Sequence, residues 1–122
     1  MKVLIVDDYG TMRRIIRDLL SRIGYDDVDE AANGPEALAK LREVQYGLVI
    51  SDWQMEPMTG YDLLKEIRAD ETLRQTPFII VTADAKLDQL IAARHTGLDE
   101  CLIKPFSAAA LSNKIDGAVT RH

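Results

Sequence analysis

Several kinds of residue are scarce in this chain, and each scarcity removes a class of protein. Cys101 is the only cysteine, so no internal disulfide and no cysteine zinc cluster can form. A lone thiol fits a reducing cytoplasm. Long apolar stretches are missing. Asp7 and Asp8 interrupt residues 1–20 too early for a signal segment or a membrane helix. Positive charge is in deficit, with 15 Lys and Arg against 20 Asp and Glu. The net charge of −5 argues against general binding to nucleic acid or to an anionic membrane. His95 and His122 are the only histidines, and neither has the partners of a phosphohistidine or triad site. His95 is expected at a helix end facing solvent. His122, at the terminus, is expected to be disordered. There is no repeat, low-complexity tract or linker. The 122 residues suffice for one domain with its own core, expected over 1–122 with no output domain.

What the chain does have is an alternation of two apolar periods. Val3-Leu4-Ile5-Val6 is a strand-like run. Met12, Ile15, Ile16, Leu19, Leu20 and Ile23 then follow helical spacing, and Gly24 is a natural stop. Residues 27–32 are a poor strand sequence and are placed as the second strand by topology. Asn33-Gly34-Pro35 opens the next helix, with Ala37, Leu38 and Leu41 on its inner face. The third strand is expected over 47–51, followed by a helix lined by Leu63, Leu64 and Ile67. Pro77 leads into Phe78-Ile79-Ile80-Val81, and Leu87, Leu90 and Ile91 mark a helix closing near Gly97. A short fifth strand precedes Pro105, and Leu111, Ile115 and Val119 stripe the last helix. Five βα units imply a parallel sheet with right-handed crossovers. The expected fold is α/β, a flavodoxin-like (βα)5 three-layer sandwich. Its order 2-1-3-4-5 is carried over from known doubly wound sheets.

Four apolar runs stop on reactive polar residues. The first ends on Asp7 and Asp8, the third strand on Asp52, the fourth on Thr82 and the fifth on Lys104. In a parallel sheet these groups share the carboxyl edge, where open α/β sheets bind ligands. Carboxylates gathered that closely repel one another unless a cation neutralises them. Mg2+ suits oxygen ligands and is commonly completed by a phosphate oxygen. A carboxylate can attack phosphorus and form an acyl phosphate, and the central Asp52 suits that role. Lys104 would spread charge on the phosphoryl oxygens, and the Thr82 hydroxyl would donate to one of them.

These residues resemble the receiver domain of two-component response regulators. The resemblance rests on Asp7-Asp8, the segment Ser51-Asp52-Trp53-Gln54-Met55-Glu56-Pro57-Met58-Thr59-Gly60, Thr82-Ala83 and Lys104-Pro105-Phe106, and runs to about Val119. It implies that Asp52 is phosphorylated by a histidine kinase or a histidine phosphotransfer protein. It implies Mg2+ on Asp8 and Asp52, with Asp7 acting through water and the Gln54 carbonyl as a further ligand. The Lys104-Pro105 bond is expected to be cis. Output would leave through the face of helix four, strand five and helix five, about residues 84–120, in a cytoplasmic, chemotaxis-like setting. The domain would assist its own phosphorylation and dephosphorylation without being an enzyme, with neither nucleic acid nor membrane as partner.

Three positions depart from the family pattern. Cys101 stands where receivers usually carry an aromatic residue that rotates inward on activation. Pro57 is displaced by one residue in Met55-Glu56-Pro57. Gln54 and Asp84 occupy places that line the path of attacking water, so their polarity is expected to set the lifetime of the phosphoryl group. Among other residues, Trp53 is expected near the metal site, Tyr9 and Gly10 at the crevice rim, Met55 and Met58 in packing, and Arg13-Arg14 facing water. Cys101 is read as a small buried residue. Two rivals remain open: a receiver-fold binding module that ignores phosphate, and a haloacid-dehalogenase-type phosphohydrolase. The second expects an acid two residues after its nucleophile, where this chain has Gln54.

Overall fold

A computed structural model describes residues 1–122. The elements run β1 (Val3–Val6), α1 (Gly10–Arg22), β2 (Val28–Ala31), α2 (Gly34–Glu43), β3 (Leu48–Asp52), α3 (Gly60–Ala69), β4 (Phe78–Thr82), α4 (Leu87–Thr96), β5 (Glu100–Ile103) and α5 (Ala108–Thr120). The strands form one parallel sheet in the order β2-β1-β3-β4-β5. This is the expected flavodoxin-like (βα)5 arrangement. No helix is long and apolar enough to cross a membrane.

The three inner strands are covered on both faces, which is why they read as unbroken apolar runs. Alternate residues serve opposite layers. Val3, Ile5, Leu48, Ile50, Ile79 and Val81 pack with Ile16 and Leu20 of α1 and with Leu111 and Ile115 of α5. Leu4, Val6, Val49, Phe78 and Ile80 pack with Leu38 and Leu41 of α2 and with Leu63, Leu64 and Ile67 of α3. Side-chain caps start three of the helices. Asn33 accepts from the Glu36 amide at 2.9 Å, Ser107 accepts from Ala110 at 3.1 Å, and Thr59 and Asp62 form a capping box. Gly97 closes α4 with φ 114°, a conformation open to glycine at no steric cost.

The weak second strand forms because it needs little apolar surface. It is an edge strand in which only Val28 and Ala31 are buried. Its acids are neutralised by neighbours. Glu30 takes Arg13 Nε at 2.9 Å and Arg17 Nε at 2.8 Å, and Asp29 takes the Tyr46 hydroxyl at 2.6 Å. Charged residues on an edge strand also block sheet-to-sheet association.

The structure corrects several expectations. Ile15 does not join the inner face of α1; it is 44% exposed, because that face is covered through Ile16 and Leu20. Arg13 does not face water but lies half-buried against Glu30. At the end of the chain, His122 Nε2 lies 2.8 Å from Asp99 Oδ1. His95 is exposed near the end of α4, as expected. The helix expected from Leu87, Leu90 and Ile91 forms, yet its only buried residue is Ala93.

Candidate functional site

The carboxyl ends of β1, β3, β4 and β5 deliver the polar residues to one crevice. β1 ends at Val6, so Asp7 and Asp8 emerge in the following turn. Asp52 is the last residue of β3 and Thr82 the last of β4. One carboxylate oxygen from each of Asp7, Asp8 and Asp52 lies within 4.8 Å of the others. Lys104 Nζ stands 3.3 Å from Asp52 Oδ1 and 3.6 Å from Asp7 Oδ2. Asp7 and Asp52 are buried, whereas Asp8 is open to solvent.

The β1–α1 turn is tied from three sides. The Asp7 amide donates to the Ala31 carbonyl at 3.1 Å, Asp7 Oδ1 accepts from the Tyr9 amide at 2.8 Å, and the Asp7 carbonyl accepts from Arg13 Nη1 at 2.6 Å. Arg13 therefore links Glu30 on the edge strand to the acidic turn. Sequence reading missed this role. The available signal was the pair Arg13 and Arg17, one helical turn apart, beside a strand carrying an unexplained Glu30.

Electrostatics in the crevice are incomplete. Burial raises the Asp7 carboxyl above its ordinary range; the Tyr9 amide opposes this, and the Asp52 charge adds to it. Burial likewise raises Asp52, against the pull of Lys104. Asp7 Oδ2 is buried with no hydrogen-bond partner, since Lys104 is beyond hydrogen-bond reach. Crowded carboxylate oxygens, one of them orphaned, fit a hard divalent cation. The donor set is all oxygen, which favours Mg2+ over the softer metals.

The remaining residues fall around this centre. Thr82 Oγ1 donates to the Asp84 carbonyl and accepts from the Asp84 amide, each at 3.2 Å, so its hydroxyl is engaged in the β4–α4 loop. Gln54 and Asp84 are exposed beside the crevice. Tyr9 is exposed at its rim, as expected. The Lys104-Pro105 bond is cis, as the resemblance implies, and so is Glu56-Pro57. Met55 is buried and Met58 packs against the α2–α3 core. Cys101 is half-buried against the same layer, and burial raises its thiol. Trp53, directly after Asp52, is buried, and its ring stacks on Tyr61 at 5.7 Å.

The molecule is a doubly wound α/β domain with an acidic crevice and a facing lysine at the carboxyl edge of its sheet, where open α/β sheets bind ligands. Residues 3–116 match the response regulator receiver domain, and the chain belongs to that family. It is 47% identical over 116 residues to the chemotaxis protein CheY-3 of Vibrio cholerae, covering 95% of this chain and 89% of that one. It is equally identical to the chemotaxis protein CheY of Pseudomonas aeruginosa, covering 95% and 94%. The solved structure of V. cholerae CheY4 superposes with a TM-score of 0.89 at 32% identity, covering 96% of this chain and 97% of that one. The chain is thus a CheY-like receiver, a signalling domain of a two-component system rather than a conventional enzyme.

Proposed function

We propose that this receiver is a phosphorylation switch in which Asp52 accepts a phosphoryl group from a histidine kinase or a histidine phosphotransfer protein. The clustering of the Asp7, Asp8 and Asp52 oxygens within 4.8 Å, with Lys104 Nζ 3.3 Å from Asp52, carries the reading. An Asp52 oxygen attacks phosphorus, the phosphorus–nitrogen bond of the donor breaks, and the electron pair leaves with the imidazole. Asp8, Asp52, the Gln54 carbonyl and, through water, Asp7 would hold Mg2+, which supplies charge neutralisation to the phosphoryl oxygens when bound.

The chain's own groups do the rest. Lys104 is aimed between Asp7 and Asp52 and draws charge from the incoming phosphoryl oxygens. Arg13 holds the carbonyl of Asp7 and so keeps the acidic turn in register. Thr82 exchanges its Asp84 partner for a phosphoryl oxygen and draws the β4–α4 loop inward. Gln54 and Asp84 stand where water would approach and set how long the adduct lasts. The signal leaves through the surface of α4, β5 and α5, where Leu87, Ile91 and Ile103 are exposed. The chemotaxis relatives favour a chemotaxis-like setting in the cytoplasm, with one domain signalling through its own surface.

Intact mass after incubation with Mg2+ and acetyl phosphate tests this reading. The expected result is one phosphoryl adduct on the wild type and none on Asp52→Asn. Cys101, in place of an aromatic, favours the rival of a phosphate-indifferent binding module. A wild type that gains no adduct would overturn the switch and favour that rival. Steady turnover of an added phosphate ester would point instead to the phosphohydrolase.

A further inference from the structure

The half-buried Cys101 cannot supply an aromatic side chain that swings, so beside the pull of Thr82 on the start of α4 a signal from Asp52 needs a second route, to the carboxyl end of that helix. The structure contains one continuous chain of contacts that provides it. Asp52 is in hard contact with the start of α3. A Cβ on Gly60 would collide with the Asp52 carbonyl oxygen, and the Gly60 amide donates to the Trp53 carbonyl at 2.9 Å. Trp53 follows Asp52 directly, and its ring stacks on Tyr61 at 5.7 Å and 14°. The Tyr61 hydroxyl lies 3.0 Å from Thr96 Oγ1, at the end of α4. Thr96 Oγ1 already donates its one hydrogen to the Ala92 carbonyl, so Tyr61 is the donor in this pair.

The receiving helix is loosely held. Ala93 is its only buried residue, Lys86 offers no side-chain cap, and Leu87 and Ile91 are 72% and 50% exposed. A helix with so little buried surface moves at small free-energy cost. Its carboxyl end, by contrast, is fastened to α3, through Tyr61 to Thr96 and through Arg68 Nε to the Gly97 carbonyl at 3.0 Å. Displacement at Asp52 therefore has a stiff path to α3 and from there to α4.

We propose that Trp53 and Tyr61 are the relay that carries phosphorylation of Asp52 to α4, in the place of an aromatic at position 101. The relay rests on Asp52 being the phosphoacceptor. Both residues act as positioning residues, not as parts of the phosphorylation chemistry.

The test compares each protein with and without acetyl phosphate and Mg2+, reading adduct by intact mass and α4 by amide hydrogen exchange over 87–96. The wild type is expected to form the adduct and to change its α4 exchange. Tyr61→Phe and Thr96→Val should form the same adduct, with the α4 response reduced about fivefold, the effect of one hydrogen bond. Trp53 emission lies upstream of the lost hydroxyl and should still respond in Tyr61→Phe, which a general loosening of the fold would not produce. Cys101→Ala should keep the full α4 response. A full response in both hydroxyl-pair variants, or its loss in Cys101→Ala, overturns the relay. Adduct on the wild type with α4 unchanged overturns the relay alone; no adduct overturns the phosphoacceptor reading and the relay with it.

Discussion

Two groups of buried acids sit at opposite ends of the sheet, and they are treated differently. Asp99, just before β5, is saturated. Its Oδ2 accepts from Arg68 Nη2 at 3.1 Å and from the Phe78 amide at 2.8 Å, and its Oδ1 meets His122. The adjacent Glu100 pairs with Lys114 at 3.3 Å and with Arg121. At the carboxyl edge, Asp7 and Asp52 share the single cation Lys104, and Asp7 keeps an orphaned oxygen. Burial of unsatisfied acids costs stability, so a fold retains them where a ligand completes them. The saturated pair joins β4, β5, α3 and the end of the chain. The unsaturated one is where we propose that a cation and a phosphoryl group bind.

The difference can be broken in order of expected effect. Asp52→Asn should abolish the acetyl phosphate adduct entirely, while Asp99→Asn should leave the site chemistry intact; intact mass decides, and adduct on the first variant would sink the assignment. Stability should show the reverse order. Removing Asp99 leaves Arg68 buried without its partner and should cost about 3–5 kcal/mol in chemical denaturation. Asp52→Asn in metal-free buffer should cost nothing. Equal losses would mean that both acids are structural.

Mg2+ sharpens the contrast further. At tenfold excess over its dissociation constant it should add about 1.4 kcal/mol to the wild type. Asp8→Asn should lose that increment in a denaturation series, and Lys114→Ala at the far end should keep it.

pH gives a smaller test with a definite sign. Asp52 has its folded pKa raised by burial, so the folded chain holds that proton more tightly than the unfolded one. The resulting penalty is complete above the folded pKa and disappears as pH falls to the unfolded value near 3.8. The stability advantage of Asp52→Asn should therefore be largest at neutral pH and shrink towards pH 4 without metal. An advantage that grows on acidification would refute it. The smallest effect lies at neither acid centre: Thr59→Ala, which removes a cap of α3, should cost about 1 kcal/mol with no change in Mg2+ affinity.

Much of this was legible in the linear chain. Hydrophobic period is a local property, so nine of the ten elements could be read from spacing, and the four polar stops at strand ends fell where parallel strands must bring them. The second strand was not legible as a strand. Its acids are tolerated only because Arg13, Arg17 and Tyr46 arrive from other elements. Arg13 was misread for the same reason, since it is placed by a partner distant in sequence.

Sequence alone determined the βα alternation, the residues at the carboxyl edge and the chemistry those residue types allow, because each is encoded in short-range pattern and functional-group identity. Only the tertiary structure decided which buried acid is saturated and which is left wanting, that Arg13 steadies the acidic turn, and that a Trp53–Tyr61 stack joins the site to α4. Those outcomes depend on distances between residues tens of positions apart, and the packing of the whole chain sets such distances.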